Sequence, residues 1–132
     1  LNHIKNNDLQ DFISYHGQVS GKRKKHFLAK AHIFVLPTYY PWEGQPLCII
    51  EAMAFSTPVI SCYHKGIPEM LVDGQNGFFV SPKDSLDIVD KCNKICSEDK
   101  FYHFLSVNSR QKYESNFSRE VHLNNLFKAI YS

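Results

Sequence analysis

No stretch of this sequence approaches the ~18 consecutive apolar residues that a membrane-spanning helix needs. The chain begins Leu1-Asn2-His3, without the apolar core of a signal peptide. Positive and negative side chains are nearly equal in number, with 15 Lys and Arg against 13 Asp and Glu. This balance argues against strong non-specific binding to nucleic acid or anionic lipid. We expect a cytoplasmic location, with peripheral attachment at the inner face of the membrane as an open alternative for the full-length protein.

Ligands for a metal ion are also sparse. The four cysteines, Cys48, Cys62, Cys92 and Cys96, show no Cys-x-x-Cys spacing, and there is no Asp-x-Asp cluster. Cys92 and Cys96 lie four apart on a predicted helix and could share a metal with histidines. We expect them instead to be small apolar side chains in a reducing cytoplasm. The sequence predicts no metal site and no cofactor.

The composition that remains is typical of a soluble globular protein. The 132 residues are 43% hydrophobic and 21% charged, which fits one domain over residues 1–132 with a real core. Short β-rich runs alternate with helical patterns, so we predict an α/β fold with a Rossmann-like parallel sheet and helices on both faces. The predicted strands are Phe12–His16, His32–Leu36, Pro58–Cys62 and Phe78–Val80.

Helical patterns fill the intervals and the C-terminal part of the chain. In the helix that Asp84 or Ser85 begins, we assign one face to Leu86, Val89, Cys92 and Ile95. In the last helix, the apolar residues at helical spacing are Leu123, Leu126, Phe127, Ile130 and Tyr131. The other predicted helices are Gly21–Ala31, about Pro46–Phe55, Pro68–Val72 and about Asp99–Glu114.

Four strands make a small sheet for a doubly wound domain. The segment Leu1–Gln10 has the pattern of a helix entered partway, and the chain has no initiator Met. We therefore expect a fragment truncated at its N-terminal side. Its unpaired sheet edge and apolar surface would favour self-association.

The helix predicted after Pro46 carries the most informative chemistry. Its residues Leu47 to Phe55 are apolar on every side except at Glu51, which indicates a buried helix. A buried carboxylate without a partner costs several kcal/mol. Glu51 therefore either pairs with a cationic or hydrogen-bonding neighbour or faces a cavity in which a ligand satisfies it.

The start of the same helix is a candidate anion site. Pro46 occupies the predicted first helical position, and Gly44 before it lets another group approach the backbone closely. The free amides and the positive end of the helix dipole attract phosphate there. A carboxylate just over one turn further on suits the ribose hydroxyls of a nucleotide. The corner follows the strand Ile33 to Leu36, at a sheet edge where ligands usually bind.

The segment Glu43-Gly44-Gln45-Pro46-Leu47-Cys48-Ile49-Ile50-Glu51 resembles the Glu-x7-Glu signature of family-4 retaining glycosyltransferases, the glycosyl transferases group 1. Four further segments match that family in order and spacing, namely Phe34–Pro37, Thr57–Ile60, Gly66–Glu69 and Asp73–Phe78. The chain thus resembles the C-terminal, donor-binding half of a GT-B fold over essentially its whole length.

The resemblance implies roles for individual residues. Glu51 would accept hydrogen bonds from the ribose hydroxyls, and Glu43, the catalytic carboxylate, would contact the donor sugar. The donor-binding backbone would be Gly44, Gln45, Pro46 and Leu47, and pocket-lining residues would be Gly17, Val19, His64, Lys65 and Gly66. Glu43 as a solvated loop carboxylate, and Lys65 as either a phosphate ligand or a solvated side chain, remain open.

Two positions depart from the family pattern. Ser56 stands where a glycine usually ends the helix, and a left-handed serine costs roughly 1–2 kcal/mol. Lys65 replaces the first glycine of a common Gly-Gly pair. The family's upstream Arg and Lys, which stabilise the leaving diphosphate, have no counterpart in these 132 residues, and neither has the acceptor-binding N-terminal domain.

The implied activity is metal-independent transfer of a hexose from a nucleoside-diphosphate sugar to an acceptor hydroxyl, with retention, by the full-length protein. The isolated chain is expected to be inactive. The acceptor, whether glycan, lipid or small molecule, is not specified. A non-catalytic nucleotide-sugar or partner-binding module and another GT-B enzyme, such as a nucleotide-sugar epimerase, are the alternatives. The aromatic loop Thr38–Trp42 could stack on a sugar or pack against the missing domain.

Overall fold

The computed structural model describes residues 2–131. Within them the chain forms seven helices and three strands. The helices are Asn2–Asn6 (α1), Gly21–Lys30 (α2), Leu47–Ala54 (α3), Ile67–Met70 (α4), Ser85–Cys96 (α5), Asp99–Asn116 (α6) and Arg119–Tyr131 (α7). The strands are Phe34–Leu36 (β1), Val59–Cys62 (β2) and Gly77–Val80 (β3). Most bounds lie within two residues of the predicted ones; the N-terminal helix is shorter than predicted, and Leu1 lies outside the described residues.

The three strands form one parallel sheet in the order β1-β2-β3. Phe34 pairs with Val59, and Val59 in turn pairs with Gly77. All four residues of β2 are buried, because this central strand is covered on both faces. The α/β prediction with a parallel sheet is confirmed.

Helices cover both faces of the sheet. Alternate residues of β2 point to opposite sides, so Val59 belongs to one core cluster and Ile60 to the other. The first cluster packs β2 against α2, α3 and α4, through Leu28, Ile49, Ala52, Met53, Ile67 and Met70. The second packs β2 and β3 against α5 and α6, through Cys62, Phe78, Val80, Ile95 and Leu105.

The prediction of a strand at Phe12–His16 is wrong. This segment begins in a turn and continues as irregular backbone without strand pairing, and Phe12 and Tyr15 are 85% and 68% exposed. β1 is an edge strand that pairs with β2 alone among the described residues. A strand needs a neighbour to satisfy its backbone groups, and the local apolar pattern cannot supply one. The sheet therefore has three strands rather than four.

The predicted apolar face of α5 is also partly wrong. Leu86 and Val89 are 78% and 54% exposed, whereas Ile88, Cys92 and Ile95 pack into the second core cluster. The helix is turned relative to the prediction because it approaches α6 and β3 along the Ile88–Cys92–Ile95 stripe. Asp84 is the N-cap, and its Oδ1 accepts from the amides of Leu86 and Asp87 at 3.0 Å each.

Helix α7 forms where its spacing predicts, yet none of its residues is buried. Its exposed large apolar side chains range from 38% exposed at Leu123 to 80% at Tyr131. Together with the edge of β1, they are surfaces at which the predicted self-association would occur; that association stays a prediction. None of the helices within residues 2–131 is both long and apolar enough to cross a bilayer.

Candidate functional site

The site is built where β1 ends and the chain turns into α3. The Ser61 hydroxyl donates to the Leu36 carbonyl oxygen at 2.6 Å, which ties the carboxyl ends of β1 and β2 together. The loop of residues 37–46 then leads to α3. Pro46 is buried with φ −66° and ψ 108°, and is the N-cap, so the helix begins one residue later than predicted, at Leu47. The extended ψ of Pro46 sets this start.

Two loops meet closely above the sheet. A Cβ atom on Gly66 would lie 2.6 Å from the carbonyl oxygen of Gly44, so only glycine permits this approach. The His64 Nε2 donates to the Tyr40 carbonyl oxygen at 2.8 Å, since a carbonyl can only accept. Gly44 itself has no atom within 4 Å of its Cβ position. The loop before α3 is thus fixed from one side and open to an incoming group at Gly44.

Glu51 is half-buried rather than deeply buried. Its side chain is 38% exposed, and its Oε1 accepts from Lys24 Nζ at 2.5 Å. The prediction that α3 is buried on every side is wrong, because Leu47 is 70% exposed while Ile49, Ala52 and Met53 form the core face. The neighbouring elements cover one side of α3 and leave Leu47, its first residue, exposed.

For Glu51 the structure confirms the alternative of a cationic partner, whereas its contact with a ligand stays a prediction. Glu51 also borders two pockets. The first, the α3–α7 pocket, has a volume of about 630 Å³ and is lined in part by Gln45, Leu47, Glu51 and Arg119. The second, the α2–α3 pocket, has a volume of about 250 Å³ and is bordered by Lys24 and Glu51; its other lining residues are Val19, Phe27, Leu28, Ala31, Phe34 and Cys48.

The two signature carboxylates act on the same thiol. Burial raises the pKa of Cys48, backbone hydrogen bonds at Ile49 and Cys48 lower it, and the negative charges of Glu43 and Glu51 raise it further. Cys48 therefore stays a neutral thiol at physiological pH. Glu43 is half-buried in the loop.

The remaining predicted pocket residues are distributed more widely. Val19 lines the α2–α3 pocket, whereas Gly17 and Lys65 line neither of the two. Gly17 is exposed in a left-handed conformation with φ 62°. Lys65 is exposed with φ 49°, so its backbone adopts a conformation that favours the glycine it replaces. Ser56 adopts the expected left-handed conformation, with φ 61°.

Lys24 is the site residue that the sequence analysis missed. It lies 27 residues before Glu51, within a run of basic residues that reads as a solvated helix face. The only local signal is its spacing: Lys24 precedes the buried Leu28 by four residues, which places both on the same side of α2.

Metal ligands are not grouped in the described part of the chain. Residues 2–131 contain no cluster of three or more His, Cys, Asp or Glu side chains that could hold an ion. Cys92 is half-buried and Cys96 is exposed, and burial raises the pKa of the Cys92 thiol. The site consists of a helix start, two carboxylates, one ammonium and two adjoining pockets.

Comparison with known proteins places the chain in a family. The sequence profile of the family described as Glycosyl transferases group 1 matches residues 1–112. The chain belongs to this family, as the Glu-x7-Glu resemblance predicted. It is similar to the capsular polysaccharide biosynthesis glycosyltransferase CapM of Staphylococcus aureus, with 30% identity over 95 residues that cover 72% of this chain and 24% of that protein. The chain spans 21% to 30% of the length of three curated relatives.

Solved structures support the same fold. The C-terminal domain of a glycosyl transferase group 1 family protein, LpcC from Francisella tularensis, has a TM-score of 0.75 and 27% identity, covering 89% of this chain and 60% of that one. Anabaena Alr3699/HepE in complex with UDP-glucose has a TM-score of 0.84 and 17% identity, covering 98% of this chain and 35% of that one. The Rossmann-like GT-B prediction is confirmed.

Proposed function

We propose that this chain is the donor-binding part of a glycosyltransferase that moves a sugar from a nucleoside-diphosphate sugar to an acceptor hydroxyl with retention of configuration. The observation that carries the proposal is the position of Glu51, one turn beyond the open start of α3 and on the border of two pockets. Support comes from family membership and from the Anabaena protein of the same fold, which was solved with UDP-glucose.

The start of α3 suits the diphosphate. The first amides of a helix have no partner within it, and the dipole places partial positive charge there. In the first turn, the Ile49 amide donates to the Pro46 carbonyl oxygen at 3.0 Å. The amides of Leu47 and Cys48 come before Ile49 in the chain and would donate hydrogen bonds to a phosphate. Gly44, with open space at its Cβ position, would let the sugar approach the backbone.

The two carboxylates would contact the parts of the donor other than the diphosphate. Glu51 would accept from the ribose hydroxyls through its second oxygen, and Glu43 would contact the hydroxyls of the donor sugar. Departure of the diphosphate develops negative charge, which fixed donors at the helix start stabilise without covalent chemistry. Cations elsewhere in the intact protein would complete this stabilisation. We propose a hexose as the transferred sugar and a glycan, lipid or small molecule as the acceptor.

Replacing Glu51 with Gln should weaken nucleotide binding about ten- to a hundredfold, because a charge-assisted acceptor for the ribose is lost while the volume is kept. Titration calorimetry of the intact protein with UDP and GDP measures the effect. Glu98→Gln is the matched control, since Glu98 is exposed at the start of α6 and makes no capping bond. Equal affinity of Glu51→Gln and unmodified protein for both nucleotides would assign Glu51 to structure alone.

Chelation should leave sugar transfer by the intact protein largely unchanged. The described residues present no cluster of hard oxygen ligands of the kind that Mg²⁺ or Mn²⁺ requires. Initial rates of transfer are compared with and without EDTA, beside a metal-dependent transferase as a positive control for chelation. Loss of activity that Mn²⁺ or Mg²⁺ restores would overturn the metal-independent mechanism.

A further inference from the structure

The ion pair between Lys24 and Glu51 joins two helices at the proposed donor site. Lys24 extends from the side of α2 that also carries the buried Leu28, and its Nζ lies 2.5 Å from Glu51 Oε1. Both side chains are a little more than one third exposed. Surface ion pairs usually contribute little to stability, so this pair contributes little to the free energy of folding. A role in binding explains it better.

The geometry leaves Glu51 with one oxygen occupied and one available. Lys24 binds Oε1, and within residues 2–131 no hydrogen bond reaches Oε2. A carboxylate can accept hydrogen bonds at both oxygens. To bind the two hydroxyls of a vicinal diol, the accepting carboxylate oxygen must be held in a fixed position. A carboxylate held by one partner has lost part of its rotational freedom before the ligand arrives, which lowers the entropic cost of binding.

The surroundings strengthen this restraint. The α2–α3 pocket beside the pair is lined mainly by apolar side chains, among them Val19, Phe27 and Phe34. Apolar walls reduce the local screening of the charges. Lys24 also offsets the negative charge of Glu51 next to the helix start where a diphosphate would bind. The cation thus favours both the orientation of Glu51 and the approach of an anionic ligand.

We propose that Lys24 is a positioning residue for recognition of the donor's ribose: it holds Glu51 so that Oε2 faces the 2′,3′-diol. The inference rests on the proposed function and deepens it. The effect passes through Glu51, so it must appear in the preference for a diol and not only in overall affinity.

The test compares a nucleoside diphosphate with its 2′,3′-dideoxy analogue on the intact protein. The probe is UDP or GDP, whichever binds the unmodified protein more tightly. Both members of a pair carry the same diphosphate, so charge effects cancel in the ratio of their affinities. Lys24→Met should lower this diol preference about three- to tenfold, and Lys24→Arg should retain most of it. Lys25→Met is the matched control, because Lys25 is exposed on the same helix, and should change the ratio by less than about twofold.

The outcomes separate the two proposals. If Glu51→Gln lowers the diol preference and Lys24→Met leaves it within about twofold of the unmodified protein, the role of Lys24 is overturned and the proposed function stands. If neither UDP nor GDP binds the unmodified protein, the proposed function fails and the inference fails with it. A double variant supports the proposal when adding Lys24→Met to Glu51→Gln lowers the ratio no further, since only coupled residues are non-additive.

Discussion

The 132-residue chain alone should give no multiple-turnover transfer from UDP- or GDP-sugars to any acceptor, whereas the intact protein should transfer under the same conditions. The described residues supply one side of the proposed reaction: a helix start, Glu43, Glu51 and their pockets. The chain spans 24% of the length of CapM. We expect the acceptor site and the cations that offset the leaving diphosphate to lie in the rest of the protein.

The expected loss is large because positioning dominates this kind of catalysis. Holding two reactants in line contributes about 7–11 kcal/mol, and cleft closure that excludes water adds to it. Nucleotide binding alone should survive weakly, in roughly the micromolar to millimolar range, because a few contacts must offset the cost of association. Radiolabelled donors mixed with candidate acceptors give the measurement. Repeated turnover by the chain alone would show that these residues contain far more of the active site than we propose.

Replacing Gly77 with Ala should be the most destabilising single methyl addition in the sheet. Gly77 begins β3 and pairs with Val59 of β2. A Cβ atom on Gly77 would lie 1.8 Å from the Val59 carbonyl oxygen and 2.8 Å from Leu71 Cδ1. Its φ of 156° also strains any other residue. The added Cβ would clash with the backbone of β2 rather than with a flexible side chain. β3 must therefore shift away from β2, which costs about 3 kcal/mol or more.

Thermal unfolding of the intact protein measures this effect, with an expected fall of the transition on the order of 10 °C. Gly74→Ala is the matched control. Gly74 lies in the same turn and also has a positive φ, 70°, but a Cβ there would meet only Phe78 Cε1, at 3.9 Å. It should lose only the strain of a left-handed alanine, about 1–2 kcal/mol. Equal shifts for the two variants would contradict the steric argument at Gly77.

Local sequence patterns determined most helices and the three strands that form. Val59–Cys62 is apolar throughout except for Ser61, and it is the central strand. Asp84 reads as an N-cap and is one. These features depend on a residue and its neighbours within one or two turns, where propensity, capping and burial act in the same direction. The order of five family motifs along the chain was equally visible.

The irregular segment Phe12–His16 shows where local reasoning fails. Its apolar pattern is that of a strand, but strand formation depends on a neighbour to accept and donate backbone hydrogen bonds. The same limit applies to α5. The helical spacing of its apolar residues could not show that the Ile88–Cys92–Ile95 stripe, and not the stripe containing Leu86, is buried. Which of two adjacent stripes is buried is decided by the angle at which a helix meets its partners.

The sequence by itself determined that Glu51 stands just over one turn inside a helix that begins shortly after Gly44, and on that basis it predicted a nucleotide site at this corner. Only the tertiary structure decided that Lys24 binds Glu51 across 27 residues, and that Gly66 touches Gly44. The physical reason is distance along the chain. Spacing within a helix fixes which residues share a face, whereas contacts between α2 and α3, or between the loops after β1 and β2, follow from how the sheet packs its helices.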